Sequence, residues 1–148
     1  MDAYVIIGAP ATRKSTLIRC LTGCYNRNIR DISLSGGKKI QIYAVTNSLQ
    51  ATHVTAEEFM KESARTHCQA VIFGLWPKAH PANPIKYPDA LTYLNDLMID
   101  GWNVKKVVVL NDLDRQTYGQ FDTVQLKSIT KDPINLSAKI VREFFRWD

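Results

Sequence analysis

One stretch limits what this chain can fold into more than any other. The apolar run Tyr4-Val5-Ile6-Ile7 ends at Gly8, and six residues later Lys14-Ser15-Thr16 opens a helical pattern in which Leu17, Ile18 and Leu21 share a face. A short buried strand that turns within a few residues into an amphipathic helix is half of a β-α-β unit, so it implies a sheet with helical cover. The chain has 148 residues, enough for one domain with a proper core and too few for two of ordinary size.

The remaining elements follow from pattern. Residues 29–34 and 39–45 are β-rich runs on either side of Ser35-Gly36-Gly37-Lys38, which predicts an antiparallel hairpin. Thr55, with Glu58 three residues on, makes a capping box for a helix reaching about residue 66. The run Ala70-Val71-Ile72-Phe73-Gly74-Leu75 is continuously apolar, as expected of a strand covered on both faces. Segment 76–88 carries Pro77, Pro81, Pro84 and Pro88 and is expected to be extended and semi-rigid. Leu91, Leu94, Leu97 and Met98 mark a helix that ends near Gly101. Residues 105–110 form a further buried strand and residues 123–128 a short one. From Pro133 a last helix runs to about residue 145, with Ile140, Val141, Phe144 and Phe145 expected in the core. Strands alternating with helices predict an α/β, three-layer domain over residues 1–148, its sheet mainly parallel with one antiparallel hairpin strand.

Composition removes several classes of function. The net charge is +5, but the basic residues are dispersed and no aromatic side chains interleave with them, so a nucleic-acid surface is not indicated. No apolar span approaches the roughly 20 residues of a membrane helix, and the first apolar run is too short for a secretory signal, which together predict a soluble, cytoplasmic protein. Three cysteines do not make a disulfide framework. Cys20 and Cys24 read as packing residues on the first helix, and Cys68 beside His67 lacks partners at a metal-binding spacing.

The chemistry concentrates in residues 8–16. Gly8, Lys14 and Ser15 hold their places in the spacing G-x-x-x-x-G-K-[ST], with Arg13 where the second glycine is usual. In such a loop successive backbone N–H groups and the positive end of the following helix form a concave anion site. The phosphate-binding candidates are Gly8, Ala11, Thr12, Arg13, Lys14, Ser15 and Thr16, with Lys14 reaching the β and γ phosphates and Ser15 supplying a hydroxyl to Mg²⁺. The alternative is an ordinary strand-turn-helix in which Lys14 and Ser15 are solvated first-turn residues. Arg13 either neutralises phosphate charge or turns to solvent, and the entropy of a long side chain favours solvent.

With these elements in this order, the chain resembles the Ras-like small GTPases and, more broadly, the P-loop NTPases, over nearly its whole length. The resemblance rests on Gly8, Lys14 and Ser15, on the hairpin and strand over residues 32–45, and on Asn111-Asp112-Leu113-Asp114, which is similar to the family's N-K-x-D. It implies a nucleoside triphosphate or diphosphate as ligand and Mg²⁺ as cofactor. It also implies that Asp114 accepts from guanine's ring N–H and amino group while Asn111 braces the base, so that GTP is favoured over ATP. Asp112 replaces the family's lysine. Ala44-Val45-Thr46-Asn47 stands where the family places Asp-x-x-Gly, residues 23–30 contain no threonine, and Gln50 is displaced from the position of the water-orienting glutamine. Those departures imply weak or absent hydrolysis, because phosphoryl transfer depends on positioning and charge neutralisation together. Two other readings stand beside this one. The first is a small P-loop kinase with segment 76–88 as its lid and Asp31 near the acceptor; the second is a nucleotide-free module docking a protein partner through segment 76–88.

Overall fold

A computed structural model describes residues 1–111 and 113–148. Among the described residues the strands are β1 (Asp2–Ile7), β2 (Arg27–Ser33), β3 (Lys39–Ser48), β4 (Ala70–Leu75), β5 (Asn103–Leu110) and β6 (Thr123–Leu126). The helices are α1 (Lys14–Thr22), α2 (Ala56–Thr66), α3 (Ala90–Ile99) and α4 (Ile134–Phe145), with a single 3-10 turn at Arg115–Tyr118. The six strands form one sheet in the order β2-β3-β4-β1-β5-β6, parallel throughout except where β2 runs against β3. The α/β class and the single antiparallel pair are as the sequence predicts.

The period of two along β1 explains the three layers. Ala3, Val5 and Ile7 face one way and pack with Phe59 of α2 and Tyr93, Leu94 and Leu97 of α3. Tyr4 and Ile6 face the other way and pack with Leu17, Ile18 and Leu21 of α1 and Ala138, Val141 and Phe145 of α4. Local signals behave as expected where they are self-contained. Thr55 Oγ1 accepts from Glu58 N–H and the Glu58 carboxylate accepts from Thr55 N–H, so the capping box closes. The hairpin turns at residues 34–38, with Gly37 at φ 86° supplying the left-handed step.

Three expectations are corrected. Ile140 is 47% exposed, because the buried stripe of α4 runs through Ala138, Val141 and Phe145 and leaves Ile140 out of phase. Segment 76–88 is folded back on itself rather than extended: His80 N–H bonds Tyr87 C=O, Tyr87 N–H bonds Asn83 C=O, and Ala90 N–H reaches Pro77 C=O. Its ends meet in the manner of an Ω-loop. β3 is longer than its apolar run and continues to Ser48, with an irregularity in its pairing to β4 between Ala44 and Ser48. That extension carries β3 to the end of the sheet at which the residue 8–16 loop lies.

Candidate functional site

The loop hangs from the C-terminal end of β1, between the ends of β4 and β5, the place where ligands bind in open α/β sheets. Gly8 is required there for space, since a Cβ would come within 2.5 Å of Thr12 Oγ1 and 3.0 Å of Leu110 Cδ1. Ala11 and Arg13 have φ of 63° and 69°, a left-handed conformation that costs an L-residue about 1 kcal/mol. Arg13 precedes α1 in that conformation and offers no side-chain cap. The first-turn N–H groups of α1 therefore have no side-chain cap from Arg13.

The Arg13 side chain is held by backbone carbonyls and is not free in solvent. Its guanidinium donates to the carbonyls of Ile129 at 3.1 Å and Asp132 at 3.0 Å, in the connection between β6 and α4. The sequence expectation of a solvated arginine fails because these two carbonyls, far away along the chain, are left over by the backbone just where the side chain can reach. The contact also anchors the strained residue.

Lys14 is 6% exposed, and its ammonium donates to Ala9 C=O at 2.7 Å. Burial, with no acidic partner among the described residues, lowers its pKa from 10.5 to about 8. Thr12 Oγ1 donates to the same carbonyl at 2.6 Å. Ser15 Oγ donates to Thr46 C=O at 2.8 Å and lies 3.4 Å from Asn47 Oδ1, which ties α1 to the end of β3. Together with Ser48, Ala51 and Trp76, residues 10–16 and Asn47 enclose a cavity of about 480 Å³. The hydroxyl of Ser48 is buried and has no hydrogen-bond partner among the described residues. Gly74, at the end of β4, leaves open the space where a Cβ would approach Ser48 Oγ at 3.4 Å and Lys14 Cδ at 3.6 Å.

No Asp or Glu lines this cavity among the described residues. Mg²⁺ bound by protein is ordinarily held through one or two carboxylates. The oxygens near Ser15 are a hydroxyl, an amide and a carbonyl, all neutral, so the residues present do not fit a protein-held Mg²⁺. Gln50 is not available to a water either. It is wholly buried; its amide donates to Trp76 C=O at 3.0 Å and Pro88 C=O at 3.1 Å and accepts from Trp76 N–H at 3.0 Å, clamping both ends of the Ω-loop.

The other sequence candidates lie elsewhere. Asn111, at φ 59°, donates its N–H to Leu126 C=O, and its own C=O accepts from Gln125. The Asp114 carboxylate accepts from Gln116 N–H at 2.9 Å and caps the 3-10 turn. Asp114 lines a second cavity, of about 780 Å³, which shares no lining residue with the first. Asp112 lies outside the described residues. Asp31 pairs with Gln41, next to the start of β4 and so at the opposite end of the sheet from the loop. It is not placed to complete a metal shell or to orient an acceptor at the loop.

Sequence reasoning missed Ser48, Gly74 and Trp76. A glycine inside a buried strand run is a signal for close approach of another group, and it was present at Gly74. Nothing local marked Ser48, whose position depends on how far β3 continues. Among the described residues no group of three or more His, Cys, Asp or Glu gathers to hold a metal, and no helix is long and apolar enough to cross a membrane. Comparison with known proteins finds no family model, no curated protein and no solved structure that matches the chain, so its function rests on the geometry of the loop itself.

Proposed function

We propose that the chain binds the phosphate groups of a nucleoside diphosphate or triphosphate in the loop of residues 8–16, as a P-loop protein of small-GTPase-like character with weak or absent hydrolysis. The observation that carries this reading is Lys14: a buried ammonium that, among the described residues, has no acidic partner and lies beside an uncapped helix N-terminus and a cavity without carboxylates. A buried charge left without a counter-ion is unfavourable, and a bound phosphate supplies one. Weak hydrolysis follows from Gln50, which is held by the Ω-loop, and from the absence of a carboxylate among the described residues of the cavity wall.

Calorimetric titration of GDP, GTP and ATP into the wild type and Lys14→Ala tests the reading. Wild-type binding that Lys14→Ala abolishes is the expected result; equal affinity in the two proteins would sink it. The guanine preference rests on Asp114, since an acceptor carboxylate suits guanine's donors and not adenine's N1. Asp114→Asn should narrow the gap between GTP and ATP. Equal binding of the two by the wild type removes the GTPase-like part and leaves a generic phosphate loop.

A further inference from the structure

The cavity beside Lys14 supplies hydrogen-bond donors and positive charge, and among its described lining residues no anionic group. At the end of β3 stands Ser48; at the end of β4, the strand directly beside β1, stands Gly74. Ser48 is 4% exposed and lines the cavity, and its hydroxyl, turned against Gly74 with no exposed surface of its own, has no partner among the described residues. An orphan hydroxyl in a buried wall is unfavourable unless something arrives to accept from it. Lys14 donates one of its three ammonium hydrogens to Ala9 C=O, which leaves two to give.

On the reading of residues 8–16 as the phosphate site, we infer that this chain takes its di- or triphosphate chain as the free anion, without a divalent metal, and that the Ser48 side chain turns from Gly74 into the cavity so that its hydroxyl donates to a phosphate oxygen. Lys14, Ser48 and the first-turn N–H groups of α1 then share the charge that Mg²⁺ would otherwise offset. A metal complex suits the cavity less well, because complexation removes charge from phosphates that the protein already neutralises and the cavity wall has, among the described residues, no carboxylate to hold the ion.

The test is calorimetry on the full chain, with GDP and inorganic pyrophosphate as probes, in excess EDTA and in excess Mg²⁺. Affinity in EDTA is expected to equal or exceed that in Mg²⁺. Ser48→Ala is expected to lower affinity in EDTA by about tenfold, the scale of one hydrogen bond to a charged group. Its unfolding midpoint should not fall, because the deleted hydroxyl has no partner to lose. Binding that needs Mg²⁺ and vanishes in EDTA overturns the inference while leaving the phosphate loop intact. Failure of both probes in both buffers overturns the phosphate reading and the inference with it. Wild-type affinity of Ser48→Ala in EDTA removes Ser48 from the site.

Discussion

On the proposed phosphate reading, Lys14 couples binding to instability in a way that can be measured. Burial lowers its pKa from 10.5 to about 8, and at 1.36 kcal/mol per pKa unit the buried charge destabilises the fold by about 3 kcal/mol at neutral pH. The sign follows from counting protons. Below about pH 8 the folded and unfolded chains both hold the Lys14 proton, so the full penalty applies; between about 8 and 10.5 only the unfolded chain holds it, so this contribution to stability improves as pH rises. Lys14→Met keeps an apolar stem beside Gly74 and removes the charge. It also removes the hydrogen bond to Ala9 C=O, worth about 1 kcal/mol, but that carbonyl keeps Thr12 Oγ1 as a donor and is not orphaned. The expected net gain is about 2 kcal/mol at neutral pH, or a rise in Tm of about 4–8 °C for a chain of this size, together with loss of phosphate binding. Urea and thermal unfolding of both proteins from neutral pH to about 10.5 would follow the gain as it disappears. A Lys14→Met protein less stable than the wild type at neutral pH, or one whose advantage does not change over that range, refutes the reasoning.

The same pKa predicts that phosphate binding above about pH 8 takes up a proton, because the anion restores the charged form of Lys14; enthalpies that do not vary with the ionisation heat of the buffer would contradict this. Arg13→Gly restores the usual glycine and relieves a left-handed arginine, yet should destabilise by about 1 kcal/mol in urea, because it loses two hydrogen bonds to Ile129 and Asp132; a net gain in stability means those bonds contribute little. Gln50→Leu should destabilise by about 2–3 kcal/mol and raise hydrogen exchange at Trp76, whose buried N–H loses its acceptor; unchanged protection there argues against the clamp. Thr55→Ala should lose about 1 kcal/mol as the cap of α2 opens, read from the urea midpoint.

What could be read from the sequence divides by distance along the chain. The capping box at Thr55 and Glu58 and the strand at Ala70–Leu75 were legible because their causes lie within a few residues. The loop motif was legible as far as Gly8, Lys14 and Ser15. The partners of Arg13 were not, since Ile129 and Asp132 come from the far side of the chain and only the fold brings them near. Segment 76–88 looked extended because proline content reports local stiffness. Its closure is imposed by Gln50, a side chain from the β3–α2 connection, for which the segment holds no record. Ile140 was misplaced by a single helical position, a difference that apolar character alone does not resolve in a helix where Ile140, Val141, Phe144 and Phe145 are all hydrophobic.

The place of β1 in the sheet has a consequence for how the chain reaches its working form. Residue 2 pairs with residue 70 on one side and residue 103 on the other, so the strand that bears the loop is completed only by segments distant along the chain. The β2–β3 hairpin can form from neighbours in sequence, whereas parallel pairing over such separations is slow because a long loop must close first. A fragment that stops short of β5 leaves one edge of Val5-Ile6-Ile7 open, an exposed apolar template for pairing with a second molecule. Phosphate capacity and resistance to aggregation should therefore appear together as the chain is lengthened through residue 110, and no excised piece carrying only residues 1–22 should show either.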